Sequence, residues 1–566
     1  MAEASTEKLH PRPESAPPIS IARGERLAVA LKRAHDQAPL PSKKFPRIPK
    51  HRAKEDYPAV ALVRAPIVSS RASVNNEATP CLAYAYLSAY VSRHGYSCTI
   101  VDGIAEGLNR VWPLQRWPGF QCQGLTFEEI LDRIPANVEV VAFSAMFSGE
   151  WPVQRDLINA ARKRFPDALF VIGGEHVTAL TEYVLRDCPA LDLCVRGEGE
   201  HTFYEILETY RGEKDFNLVN GVAYIDPDGR YVELGSLPRI REVDSIPWPQ
   251  WPDGYMEKFW KAGKSYGVQS ERDMPIMASR GCPYQCTFCS NPQMWTTRYI
   301  LRDVDDLIAE IKSYMQAYDI TALQFYDLTA ITKKGWTVEF CNRLISEGIQ
   351  LKWSLPSGTR SEALDAEVLS LLKKTGCNYL VYAPESGSPE TLRKIKKRID
   401  LEKLTESVLE AKRLGIVVRT NLIIGFPHET RANVFETIRF GLYLALKGAD
   451  EVSINIFSPY PGTEIFADLV DGGKVALNDS YFMSLTSLNS DYTALNPMTC
   501  NPHMGRVELA LYRIGFMLMN YALGYFAYPS RIVRTFRNVF FSSSSSTTVF
   551  EHRLRDLFKR KKAPQA

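Results

Sequence analysis

The 566-residue chain is 45% hydrophobic and 23% charged, the balance of a folded globular protein with several domains. Its formal charge of +3 is unevenly spread: Met1–Asp56 carries +5 and Arg553–Lys562 another +5, which leaves −7 on Tyr57–His552. An acidic body speaks against nucleic-acid binding, and no run of 18 apolar residues suggests a spanning helix. Eleven cysteines without framework spacing, and no charged-then-apolar leader, predict a cytoplasmic protein.

Residues 1–56 mix Pro, Ser, Lys and Arg with little periodicity and read as a disordered basic tail. From Ala59, short apolar runs (Ala59–Arg64, Cys98–Asp102, Val138–Ser144, Leu169–Gly173 and Leu191–Arg196) alternate with helical patterns over Cys81–His94, Phe127–Ile134, Trp151–Phe165 and Thr178–Asp187. The class is α/β, and the alternation predicts a doubly wound, Rossmann-like parallel sheet over 57–212, with ligands at the carboxyl ends of its strands. Three of those ends are rich in small residues: Phe143-Ser144-Ala145-Met146, Val171-Ile172-Gly173-Gly174-Glu175 and Val195-Arg196-Gly197-Glu198-Gly199-Glu200. Each alone reads as a turn, but together they would let the backbone approach a flat, bulky ligand. Residues 213–272 read as a linker with a hairpin, turned at Asp226-Pro-Asp-Gly229, followed by the stiff strap Pro247-Trp-Pro-Gln-Trp-Pro252.

Next comes Arg280-Gly281-Cys282-Pro283-Tyr284-Gln285-Cys286-Thr287-Phe288-Cys289, a CxxxCxxC spacing. Three soft thiolates can hold three irons of a four-iron, four-sulfur (4Fe–4S) cluster and leave the fourth open to a small molecule with an amine and a carboxylate. Zinc is the alternative, but tetrahedral zinc sites pair CxxC or CxxH units, and no second pair occurs in the chain. Six apolar runs follow (Pro275–Ser279, Ala322–Asp327, Leu351–Ser357, Tyr379–Glu385, Val417–Gly425 and Glu451–Phe457), separated by amphipathic stretches such as Val304–Tyr318 and Leu401–Leu414. They predict a partial (β/α)6 barrel over 273–470 with its chemistry at the carboxyl ends of the strands.

With Phe288 just before the last cysteine, the motif resembles the signature of the radical S-adenosylmethionine (SAM) superfamily. The upstream strand ends resemble the cobalamin-binding domain that precedes many of its catalytic domains. This resemblance implies a 4Fe–4S cluster on Cys282, Cys286 and Cys289, and cobalamin over Ser144, Gly173, Gly174, Glu198 and Gly199. It implies further that Asp327 holds the SAM amine, Arg360 its carboxylate and Glu385 its ribose or carboxylate, while Gly425, in Ile424-Gly-Phe-Pro427 with Glu429, lies against adenine. It singles out no acid or base. One departure stands out: where histidine-ligating cobalamin domains carry Asp-x-His-x-x-Gly, Ala65–Asn76 has no histidine, so the cobalt should lack that lower ligand. His94 and His176 read as structural.

Residues 471–540 read as mostly helical and 541–566 as a Ser-rich, basic tail. Val507–Tyr528 is apolar and aromatic, broken only by Glu508 and Arg513. It fits either a core helix on the barrel or, with the basic Pro529–Arg537 beyond it, a helix lying on the inner membrane face. Resemblance to members acting on hopanoids and tetrapyrroles implies a hydrophobic, lipid-like substrate and an electron donor such as flavodoxin or ferredoxin. The expected reaction is SAM cleavage at the cluster followed by cobalamin-dependent methylation of an unactivated carbon. Cyclisation, ring contraction or oxidation, as in the anaerobic magnesium-protoporphyrin ester cyclase group, is the alternative. A non-catalytic cobalamin or lipid sensor is a third reading, disfavoured by the intact motif.

Overall fold

The computed structural model describes residues 57–73, 77–264, 271–486, 497–541, 547–559 and 561–562. The tail expected over 1–56 and most of the serine tract lie outside the described residues.

A seven-stranded sheet runs in the order Tyr231–Leu234, Val222–Ile225, Leu193–Val195, Leu169–Gly173, Val140–Ser144, Val60–Arg64, Cys98–Asp102. The last five strands are parallel. Helices cover both faces, so the runs are apolar throughout rather than alternating. Successive side chains still divide between two cores: Ala61, Val63, Val141, Phe143 and Phe170 enter one, Val60, Leu62, Val140, Ala142 and Leu169 the other. The hairpin expected in a linker pairs antiparallel with Leu193–Val195 and so extends this sheet. The helix expected over Thr178–Asp187 is two, Glu175–Ala179 and Thr181–Asp187, broken at Leu180.

Part of the loop after the first strand is itself a strand. Ile67–Ser70 pairs antiparallel with Phe120–Gln123, which pairs with Arg110–Pro113. These four-residue segments are too short to show a period and went unseen in the sequence.

The second large sheet is parallel and follows chain order: Asp273–Ile276, Ala322–Phe325, Lys352–Thr359, Cys377–Glu385, Val417–Ile424 and Glu451–Ile456. It stays open, because its first and last strands are not paired with each other. Helix Val304–Tyr318 has the expected bounds; the Asp303 carboxylate caps it by accepting from the N–H groups of Asp305 and Asp306. Leu380, Tyr382, Val418 and Leu422 face the helical layer, whereas Tyr379 and Val381 face the other way, where Val549 meets them. That valine opens helix Val549–Lys559, a structured element where a tail was expected. Arg553 on the same helix reaches back to Glu77 at 3.1 Å. The apolar stretch near residue 507 is one helix, Arg506–Ala527, with Leu509 and Phe516 in the barrel core.

Candidate active site

The cysteine loop leaves the barrel's first strand through a short ladder, Ser279–Arg280 against Ile300–Leu301. Gly281 is required there: its φ is +85° and an added Cβ would lie 2.2 Å from the Arg298 carbonyl. Beyond it the loop is pinned from two sides, since the Thr287 N–H donates to Ile395 O and its carbonyl accepts from Ile465 N, both at 3.1 Å. Phe288 packs edge-on against Phe426, centroids 5.8 Å apart. Cys282, Cys286 and Cys289 are free and half-buried. Burial pushes all three thiols up, Cys289 to about 12, while Lys397 and Arg360 pull Cys282 and Cys286 the other way. Among the described residues no three acidic, Cys or His side chains converge on one point as ligands of a single ion. A cubane takes its thiolates on three different irons, farther apart than donors to one zinc.

The residues expected around SAM lie at the strand ends, and their contacts refine their roles. Asp327 is 1% exposed and accepts from the Ala278 N–H and the Ser279 hydroxyl, which ties it to the root of the cysteine loop; burial pushes its carboxyl up to about 6. Its bonds to protein make it a brace for that loop. Arg360 lies over the ring of Tyr284, 3.8 Å from the centroid, and its buried Nε has no partner. Glu385 sits at a register shift between its strand and the next, with φ +69°, and pairs with the buried Lys397 at 3.0 Å. A non-glycine residue held there stores strain, a frequent mark of functional positions. Lys397 was missed in the sequence, where it is one cation in a run that reads as solvated.

Gly425 has a packing reason for its identity: an added Cβ would lie 2.9 Å from Leu509. Its N–H donates to Glu429 at 2.6 Å, as does that of Phe426 at 3.1 Å, so Glu429 shapes the turn from beneath. Burial pushes the Glu429 carboxyl up to about 7, against the pull of those two N–H groups. A carboxyl raised on folding holds its proton more tightly in the native state. Its contribution is therefore full below about pH 4.5 and is lost as pH rises through 7. Between those limits wild type should lose on the order of 3 kcal/mol relative to Glu429→Gln, measured by urea unfolding at each pH.

Other buried polar atoms without partners gather just past the barrel strands: Thr287 Oγ1, Thr329 Oγ1, Ser361 Oγ, His428 Nε2 and Ser458 Oγ. Buried polar groups are ordinarily bonded, so each of these atoms is available to a polar ligand at the strand ends. A cavity of about 290 Å³ lies between the two sheets. Ser144, Gly173, Gly174, Glu198 and Gly199 all line it, as do Gly281, Trp295, Tyr326 and Leu328 from the barrel side. At Gly173 an added Cβ would meet only Val195, at 3.6 Å, and would otherwise project into open space. The small residues on this wall suit the close approach of a flat, bulky group such as cobalamin to the backbone. No histidine lines the cavity; His176 is buried away from it against Ser148, Nδ1 to Oγ 2.9 Å, where burial pushes it down to about 3, and His94 stacks on Tyr204.

Glu198 lines the cavity and is also tied to the protein. Its carboxylate is engaged by protein: Oε2 accepts from Ile240 N at 2.7 Å and lies 2.7 Å from Arg239, and Oε1 lies 3.1 Å from Arg280, which also pairs with Glu200 at 2.6 Å. Glu198 thus joins the first sheet to the residue two before Cys282 while bordering the cavity.

An open parallel barrel with three cysteines on its first loop, capped by a parallel sheet across a large chamber, defines a radical SAM enzyme with a cobalamin-binding domain. The Radical SAM superfamily profile matches residues 276–441, and that of the B12 binding domain matches 71–207. The uncharacterized methyltransferase PH0819 of Pyrococcus horikoshii is 30% identical over 408 residues, 72% of this chain and 82% of its own. The anaerobic magnesium-protoporphyrin IX monomethyl ester cyclase of Rubrivivax gelatinosus is 26% identical over 400 residues, 70% of this chain and 67% of its own. The structure of the radical SAM methyltransferase TsrM from Kitasatospora setae, with cobalamin and a 4Fe–4S cluster bound, has a TM-score of 0.59 at 14% identity, covering 83% of this chain and 89% of that one. The chain belongs to the cobalamin-dependent radical SAM family, and its cofactors are a 4Fe–4S cluster, SAM and cobalamin.

Proposed function

We propose that this enzyme methylates an unactivated carbon of a hydrophobic, lipid-like substrate. The observation that carries the reading is the shared chamber: one cavity runs from the glycine-rich strand ends of the first sheet to Gly281 of the cysteine loop, and much of its wall is apolar, including Leu82, Leu87, Phe203, Met277, Met294 and Leu328. The kinship with a methyltransferase supports it. When bound, the cofactors supply hydrogen abstraction through SAM cleavage and methyl transfer through cobalamin. The chain's own part is positional. Lys397 and Glu385 hold each other beside the cysteine loop, Arg360 braces Tyr284 within it, and the apolar wall keeps water from the reacting carbon.

The test is anaerobic turnover with SAM, a reductant and a lipid extract, counting 5′-deoxyadenosine and S-adenosylhomocysteine together. One SAM is cleaved to methionine and deoxyadenosine while a second gives up its methyl group, so both products should rise in step. Deoxyadenosine alone would replace this reading with cyclisation, ring contraction or oxidation, the kind of reaction the cyclase relative's name describes.

A further inference from the structure

Helix Ser530–Phe540 is built inside out. Its polar side is turned to the protein: Arg531 donates to the carbonyls of Gly448 and Ala449 at 2.8 and 3.1 Å, Arg534 pairs with Asp450 and Glu551 at 3.1 and 3.3 Å, and Asn538 donates to Glu551 at 2.8 Å. Its apolar side faces outward, where Ile532, Val533, Phe536, Phe540 and the adjoining Phe541 are 53–76% exposed. A helix that meets water on its outer side ordinarily shows the reverse pattern.

The preceding helix repeats the pattern over a greater length. Leu509, Arg513, Phe516 and Asn520 face the barrel, while Val507, Leu511, Leu518 and Phe526, spaced by four, seven and eight residues along the opposite side, are 55–85% exposed. Apolar surface on this scale marks a site of association.

Charge identifies the partner. Of the four arginines between Leu509 and Phe550, Arg513, Arg531 and Arg534 are turned to the protein, which leaves Arg537 on the outward side. Arg537 is exposed among the phenylalanines, and the neighbouring helix Arg431–Leu446 adds exposed Arg439, followed by exposed Lys447 over the ring of Tyr443. The partly exposed carboxylate of Glu508 on this side is matched by Arg431 at 2.6 Å, so Arg537, Arg439 and Lys447 leave the apolar, aromatic face with a cationic excess, complementary to an anionic lipid surface. No described helix is long and apolar enough to cross a membrane, so the contact lies in the plane of the interface.

We propose that the outer faces of Arg506–Ala527 and Ser530–Phe540 seat this protein on an anionic bilayer. The inference concerns where the enzyme works and does not depend on the reaction assigned above. The test is co-sedimentation of the full-length, cofactor-loaded protein with unilamellar vesicles of phosphatidylcholine alone or mixed with phosphatidylglycerol. Mixed vesicles should bind it at least ~10-fold more tightly than phosphatidylcholine alone. The double variant Phe536→Ser, Phe540→Ser should bind them about 100-fold more weakly, with circular dichroism and deoxyadenosine formation unchanged. Wild type that ignores both vesicles, equal binding to both, or a variant that binds as wild type does would overturn the proposal. So would light scattering that shows a wild-type dimer and a monomeric variant, because the face would then serve self-association.

Discussion

Replacing Cys282 by alanine should yield a folded protein that retains almost no iron and forms no 5′-deoxyadenosine. Cys282 lies in a loop whose path is set independently by Gly281 and by the two backbone bonds of Thr287, so loss of the sulfur leaves the scaffold standing. The change removes one of three anchors, and beyond Cys286 and Cys289 the loop has no further cysteine to replace it. Altering groups that merely orient a ligand costs roughly 10–100-fold in affinity, and removing the ligand itself should exceed that. Iron and sulfide per chain and deoxyadenosine per hour are the readouts, with Cys500→Ala, outside the loop, as the control that keeps both. A Cys282→Ala protein with full iron and undiminished SAM cleavage would refute the cluster assignment.

Arg280→Ala should be the most destabilising change near the site, by about 3–5 kcal/mol. The guanidinium is 7% exposed between Glu198 and Glu200, both buried, and only Arg239 would remain to balance them. Burial already pushes the Glu198 carboxyl up, whereas Arg280 holds Glu200 below the ordinary carboxylate range despite its burial. Without the arginine both carboxylates would lie in a medium that disfavours their charge. The triple variant Arg280→Met, Glu198→Gln, Glu200→Gln should recover much of the loss, since no unpaired charge remains. Unfolding midpoints of the three proteins decide the matter; an Arg280→Ala variant as stable as wild type would show the network to be idle.

The two large sheets could be read from the sequence because burial on both faces turns each parallel strand into an unbroken apolar run, and the amphipathic helices between them keep a clear 3.6-residue period. Val140–Ser144 and Val304–Tyr318 are clear instances. The cysteine spacing and the small-residue strand ends were equally visible, because cluster and macrocycle chemistry restrict which residues can stand there. What stayed hidden depends on distant partners. Lys397 belongs to a cationic stretch that looks like solvated surface until Glu385 is brought to 3.0 Å. Glu198 borders the cavity, and its bonds to Arg239 and Arg280, from another part of the chain, could not be read from the sequence. Asp327 ends its strand where expected, yet its bonds run to Ala278 and Ser279. The outward apolar face of Ser530–Phe540 was likewise unreadable, because its direction is set by acceptors on Gly448, Ala449 and Glu551.

The return of Arg553 to Glu77 also bears on how the molecule is made. The two residues are 476 positions apart, so a ribosome adding about 5–20 residues per second separates their emergence by roughly 25 to 95 s. For the last roughly 8 to 34 s of that interval Tyr379 and Val381 have been synthesised without the Val549 that covers them. Assembly of the barrel therefore awaits the synthesis of Val549, a long-range closure that is slow by its topology. A nascent chain this long in waiting is a natural client for chaperones.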